Sequence, residues 1–263
     1  MKKLLTVALV LALVACAALA SADKLVIGAS STPHAEILEA AKETLAAKGI
    51  ELEIVVFDDY VQPNLQLEAG DLDANYFQHI PYMESFNAEQ GTHLVSAGAV
   101  HYEPMGIYTN PAAPAALDAI PDGATIAVPN DPTNEARALR LLEYLNIIKL
   151  AEGSSETATA LDITENPYNV EIVEVEAAQV PRQLADVTFG VINSNYALQA
   201  GTDVVGTALE VEAPGAGSYP NIIAVREGDT EREDIKTLVE VLQSDEIVNW
   251  ITETYGTAVV PTK

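Results

Sequence analysis

Residues 24–56, KLVIGASSTPHAEILEAAKETLAAKGIELEIVV, set the fold class. Lys24–Ala29 is a short β-rich run. Ser31-Thr32-Pro33 predicts a helix start, with a hydroxyl N-cap and proline in the first turn. The helix is expected to run to about Lys48, burying Ile37, Leu38, Ala41 and Leu45, and to stop at Gly49. Leu52, Ile54 and Val56 then alternate with Glu51, Glu53 and Val55, which predicts a strand with one wetter face. A strand, a helix and a strand in about thirty residues make a βαβ unit.

The same alternation recurs outward from this unit. Helices are expected near Pro63–Ala69 and Pro81–Gln90, and a strand at Thr125–Val128. A helix opens at Asp131-Pro132 and runs through Leu145; strands follow at Val170–Val175, Thr188–Ile192 and Asn221–Val225. Two helices, about Glu231–Leu242 and Ser244–Tyr255, close the chain at Gly256. Strands separated by helices predict parallel sheets covered on both faces. The stretches Asn110–Gly123 and Gly201–Gly217 are the softest, rich in Pro, Ala and Gly. Two β/α lobes are therefore expected, lobe I from 24–104 plus 205–263 and lobe II from 105–204, with a ligand cleft between them.

The 263 residues carry 39 acidic against 13 basic side chains, a formal charge of −26. With 49% apolar and 20% charged residues the chain has enough apolar material for globular cores. A polyanion of this size repels phosphate backbones, so no nucleic-acid partner is expected. Met1-Lys2-Lys3 followed by the apolar run Leu4–Val14 has the form of an export signal, and residues 1–22 are set aside from the fold. Its end has two readings. Leu13-Val14-Ala15-Cys16 resembles a lipobox, with cleavage before a Cys16 that then carries acyl chains. Ala20-Ser21-Ala22 fits cleavage before Asp23. The first reading places the mature protein on the outer face of the cytoplasmic membrane, the second in the periplasm or medium. Cys16 is the sole cysteine, so neither an intrachain disulfide nor a cysteine metal site is possible.

The common catalytic signatures are missing from the sequence: there is no G-x-x-x-x-G-K-[ST] and no G-x-S-x-G. His34, His79, His93 and His101 never stand at i, i+4. Asp71, Asp73 and Asn75 lack the glycine and the glutamate that would complete a calcium loop. Neither a metal nor a cofactor is expected. Polar and aromatic residues concentrate instead where strands should end: Asp59–Asn64, Gly70–Tyr82, Pro129–Arg137, Val191–Tyr196 and Ser218–Asn221. In open α/β sheets ligands sit beyond the carboxyl ends of strands.

Arg137, one of five arginines, falls early in the helix opened by Asp131-Pro132. It is a candidate bidentate clamp for a carboxylate. The competing reading is a surface ion pair with Glu135 or Glu143. Phe77, His79 and Tyr82 suit an apolar or thioether side chain; the alternatives are core packing for Phe77 and Tyr82 and a solvated loop for His79. Asn193 and Asn221 are candidates for an ammonium or carboxylate, against simple turn formation.

At these residues the chain resembles the methionine-binding lipoproteins of bacterial ABC importers, the NlpA type. The resemblance rests on Thr32-Pro33-His34-Ala35-Glu36-Ile37, Asp59–Asn64, Gly70–Asn75, Phe77-Gln78-His79, Pro81-Tyr82, Val128–Asn134, Glu165-Asn166-Pro167, Pro181-Arg182, Val191-Ile192-Asn193 and Ser244-Asp245-Glu246. It implies a two-lobed α/β fold of the type II periplasmic-binding-protein kind, without enzymatic activity, that closes over methionine. It further implies an inner-membrane permease and its ATPase as partners, and a membrane anchor if Cys16 is acylated. Carried over by position, Arg137 would bind the ligand carboxylate and Asn193 and Asn221 its polar end. Tyr60, Phe77, His79 and Tyr82 would enclose the side chain. Two departures stand out: a tether of only seven residues between Cys16 and the first strand, and Pro220 between Tyr219 and Asn221.

Overall fold

A computed structural model describes residues 23–113, 115–201, 208–213 and 219–262. The export segment, Cys16, the expected boundary at 204/205 and Ser218 lie outside the described residues.

The first sheet has the strand order β13-β4-β12-β3-β1-β2. Its strands are β1 (Asp23–Ser30), β2 (Ile50–Phe57), β3 (Ala74–His79), β4 (Leu94–Tyr102), β12 (Pro220–Arg226) and β13 (Val260–Pro261). The second has the order β11-β5-β10-β6-β9. It contains β5 (Gly106–Thr109), β6 (Thr125–Pro129), β9 (Glu171–Val175), β10 (Phe189–Ile192) and β11 (Glu210–Val211). A small pair, β7 (Lys149–Leu150) with β8 (Ile163–Glu165), stands apart. Each sheet is the centre of one lobe of a two-lobed type II binding-protein fold.

Period-2 alternation divides the apolar side chains of each sheet between two cores. Leu25, Ile27 and Ala29 of β1 face helices α1 (Glu36–Ala47), α7 (Glu233–Leu242) and α8 (Asp245–Tyr255). Val26 faces the other way, toward α2 (Gln62–Ala69) and α3 (Ile80–Gln90). In the second sheet Ile126 and Val128 pack on α4 (Pro132–Tyr144). Ala127 packs toward α5 (Val180–Gln183) and α6 (Ser194–Gln199). Gly28 admits a close approach: a β-carbon there would stand 2.6 Å from Leu72 Cδ1 and 2.9 Å from Phe57.

The structure departs from the sequence reading in several places. The first helix begins at Glu36, after an irregular turn, because Thr32 is extended at φ −139°, ψ 142°. The residue before a proline is pushed out of the α region by the ring. The sheets are mixed rather than parallel. β12 is antiparallel to β3 and β4, and β5 to β10. β4 leaves the first sheet at its cleft edge, and a strand that arrives from the opposite lobe must enter at that edge and run against its neighbours. Finally, Glu210–Val211, expected in lobe I, pair with β5 in the second sheet. The chain is thus still part of the second sheet at residue 211.

Candidate functional site

The crossovers bring the functional edges of the two sheets face to face. In the first sheet Asn221, at the start of β12, is in register with His79 at the end of β3 and with His101 near the end of β4. In the second, β6 and β10 are parallel neighbours. β6 leads into Asp131, Asn134 and Arg137; β10 leads into Asn193, Ser194 and Asn195. Between them lies a small cavity of about 20 Å³, its walls drawn close together. Its lining includes all seven sequence candidates: Tyr60, Phe77, His79, Tyr82, Arg137, Asn193 and Asn221.

Hydrogen-bond chemistry fixes which way the polar groups point. Asp131 caps α4, accepting from the Asn134 backbone N–H at 3.0 Å and from Asn134 Nδ2 at 2.9 and 3.0 Å. A carboxylate only accepts, so the Asn134 oxygen must face the cavity. That oxygen meets Asn193 Nδ2 at 2.9 Å and His79 Nε2 at 3.2 Å. His79 Nδ1 accepts from the Tyr82 backbone N–H at 3.1 Å, so its proton sits on Nε2. Burial pushes the His79 imidazole down to about 3, with Arg137 adding to the shift, and it is neutral. The chain ends at Asn193 Oδ1, a buried acceptor with no partner among the described residues. Asn195 is the converse. Its oxygen accepts from Tyr60 Oη at 2.6 Å, which leaves Nδ2 as a buried donor without a partner.

Tyr60, Phe77 and Tyr82 form an aromatic box, with ring centroids 5.5, 5.6 and 6.0 Å apart. Tyr82 Oη donates to the Tyr60 carbonyl at 3.0 Å, which ties two walls together. Phe77 and Tyr82 belong to a small aromatic core and also line the cavity, so both sequence readings describe them. His79 is 5% exposed, which excludes a solvated loop.

Arg137 is 4% exposed and does not pair with Glu135 or Glu143. Its Nε lies 2.8 and 3.1 Å from the carboxylate oxygens of Glu212, and Nη2 lies 2.5 Å from Glu212 Oε2 and 2.7 Å from the Glu103 carbonyl. The Tyr219 ring stacks on it at 4.6 Å. Burial works against the charge, but Glu212 outweighs it and raises the pKa, so the guanidinium is always charged. Glu135 instead accepts from the Ala160 backbone N–H at 3.0 Å, and Glu143 from the Leu150 N–H at 2.9 Å.

Behind Asn221 lies a buried polar cluster that the sequence reading missed. Glu103 Oε1 accepts from His101 Nε2 at 2.7 Å and stands 3.4 Å from His34 Nε2, which meets Asn221 Oδ1 at 3.0 Å. The Tyr76 hydroxyl bonds His101 Nδ1. Burial lowers His34 to about 4 and His101 to about 3, and it raises Glu103. Three metal-capable groups thus converge within 4.8 Å, but their mutual hydrogen bonds and those to Tyr76 and Asn221 account for the arrangement. Glu103, Asn134 and Asn195 also line the cavity and were not singled out in the sequence. Their position at strand ends beside chosen residues was the available signal. Glu212 lies 75 residues from its partner and gave none.

The NlpA lipoprotein family matches residues 25–263. The crystal structure of a putative lipoprotein from Ruminococcus gnavus is 55% identical and superposes with a TM-score of 0.90, covering 92% of this chain and all of that one. A nutrient binding protein from Burkholderia cenocepacia, solved bound to methionine, is 39% identical with a TM-score of 0.87, over 91% of this chain and all of that one. The methionine-binding lipoprotein MetQ of Bacillus subtilis is 42% identical across 90% of this chain and 88% of its own length. A buried, two-lobed site on this frame and a family match over nearly the whole described chain lead to one conclusion: the chain belongs to the NlpA lipoprotein family.

Proposed function

We propose that this protein is the extracytoplasmic solute-binding component of an ABC importer, that it encloses methionine between its lobes, and that it delivers it to a membrane permease driven by an ATPase. The observation that carries this reading is the pairing of chemistries in one cavity. A buried guanidinium, an unpartnered amide donor and an unpartnered amide acceptor lie beside an aromatic box. A free amino acid brings a carboxylate, an ammonium and an apolar side chain, and each needs such a partner when it leaves water. In this reading Arg137, through the Nη1 amine that Glu212 does not use, meets the carboxylate with Asn195 Nδ2 beside it. Asn193 and Asn221 hold the polar end. Tyr60, Phe77, His79 and Tyr82 surround the thioether. The nutrient binding protein solved with methionine and the methionine binding protein MetQ are both binding proteins, and the cavity hydroxyl of Ser194 donates to the Pro104 carbonyl rather than to a base. Both observations support a carrier.

Lobe I takes residues 24–104 and the chain after the second sheet, and lobe II residues 105–211. Among the described residues no helix is long and apolar enough to cross a membrane. Acylation of Cys16 would supply the anchor, since several acyl chains together hold a protein stably at a bilayer. Mass spectrometry on natively purified protein tests both claims. A co-purified methionine and an acylated Cys16 terminus are expected. A different bound metabolite would overturn the ligand, and a free Asp23 terminus the anchor.

A further inference from the structure

One connection between the lobes runs from Tyr102, the last residue of β4, through Glu103, Pro104 and Met105 to β5 at Gly106. Tyr102 belongs to the first sheet, in register with Pro220 and Val260. The backbone of the next three residues is held from the second lobe. Arg137 Nη2 donates to the Glu103 carbonyl at 2.7 Å, and Ser194 Oγ donates to the Pro104 carbonyl. Met105 is paired with Glu212 in both directions: its N–H donates to Glu212 Oε2 at 2.8 Å, and its carbonyl accepts from the Glu212 N–H at 2.9 Å. The Glu103 carboxylate is shared, with His101 of the first lobe on it and the Asn195 backbone N–H of the second. The backbone of 103–105 therefore travels with the second lobe, and in this connection rotation of the lobes falls on the link between Tyr102 and Glu103. Hinges absorb their φ/ψ change in a few residues at the end of an element.

A side-chain bond spans that link. Tyr102 Oη donates to Glu212 Oε2 at 3.0 Å. Glu212 is 6% exposed and is held in place by the Met105 N–H and the Arg137 guanidinium, both on the second-lobe side. The phenol hydroxyl stands a full side-chain length from the pivot, so opening the lobes shifts it against a carboxylate that is tethered elsewhere. A hydrogen bond to a charged acceptor is among the stronger ones a protein makes. Neither Tyr102 nor Glu212 lines the cavity, so the bond acts on the lobes and not on the shape of the site.

We propose that Tyr102 and Glu212 form a hinge latch that holds the closed state, so that Tyr102 sets how long the protein retains its ligand. This rests on the methionine reading, in which Arg137 takes the ligand carboxylate. Glu212 is then a positioning residue with two tasks: it orients Arg137 from behind and receives the latch, which joins ligand and hinge through one guanidinium.

The test compares ligand-stripped wild type with Tyr102→Phe, which keeps the ring and the Arg137–Glu212 pair and removes only the latching hydroxyl. Tyr255→Phe is the control, since it deletes a hydroxyl bond to Glu36 inside the first lobe. Chase of radiolabelled methionine should show release about 10-fold faster in Tyr102→Phe, the low end for a bond to a charged group, with the association rate unchanged. Tyr255→Phe should release at the wild-type rate. Release from Tyr102→Phe at the wild-type rate would overturn the latch, as would equal acceleration in both variants, which would mark a general loss of stability. If wild type binds no methionine, the methionine reading falls instead, and small-angle scattering of the ligand-free proteins decides the latch. A larger radius of gyration in Tyr102→Phe than in wild type supports it, and an equal radius overturns it.

Discussion

Truncating Arg137 should damage the empty protein as well as the ligand site. Its guanidinium and the Glu212 carboxylate are almost wholly buried, with side chains 5% and 7% exposed. Glu212 also accepts from Tyr102 Oη at 3.0 Å and the Met105 backbone N–H at 2.8 Å, so it cannot swing out to water without abandoning both. Removing one member of a buried pair strands the other, at a cost of about 3–5 kcal/mol. For a protein of this length each kcal/mol lowers Tm by about 2–4 °C. Arg137→Ala should therefore melt about 6–20 °C below wild type without ligand, and should lose methionine affinity by about 30-fold to several thousand-fold. From the sequence alone, with Arg137 facing a ligand, little change in the empty protein would be expected. The double variant Arg137→Met/Glu212→Leu separates the two effects. It should regain at least half of the lost Tm in differential scanning calorimetry and none of the binding. An unchanged Tm in Arg137→Ala would refute the structural half of the argument, and binding restored in the double variant would refute the ligand half.

Glu135 is pushed up to about 7, first by burial and then by the nearby Glu174, against the opposing hydrogen bond from Ala160. A carboxyl that binds its proton more tightly folded than unfolded costs stability as pH rises from about 4.5 through 7. Glu135→Gln should accordingly gain about 1–3 kcal/mol over wild type at pH 8 and nothing at pH 4 in urea titrations; an equal effect at both pH values would contradict the shift. Phe77→Ala should weaken methionine about 10-fold and narrow its preference over leucine, read by competition calorimetry, because one wall of the aromatic box is lost. Tyr60→Phe removes the 2.6 Å bond to Asn195 that links the two lobes. About fivefold weaker binding is expected for the loss of one such bond.

Much of the fold was legible because local chemistry agrees with it. Asp131 caps α4, Ser244 caps α8 at 3.4 Å from the Ile247 N–H, and Gly49 turns the chain at φ 86°. Each rule spans only a few residues. The strand Ala74–His79 was missed because Asn75 and Gln78 read as surface chemistry, yet both are buried. They are satisfied by Asn64 from α2, with Nδ2 of Asn75 and Nε2 of Gln78 each 2.7 Å from its oxygen. That partnership exists only once α2 lies on β3. The two-residue edge strands β11 and β13 hold no local pattern at all. In the site, the residue types and strand-end positions pointed to Arg137, Asn193 and the aromatics. What they could not indicate was direction: which end of Asn193 faces inward depends on Asp131 through Asn134, and the state of Arg137 depends on Glu212. Both are settled by contacts between elements distant in sequence.

In the proposed reading the cavity between the sheets recognises methionine as a zwitterion with an apolar tail. Titration calorimetry of methionine into the ligand-stripped mature protein tests this most directly. A single site is predicted, in the micromolar range or tighter, with a negative heat-capacity change from burial of the thioether against Tyr60, Phe77 and Tyr82. Saturable binding of a different solute, with no heat from methionine, would contradict it.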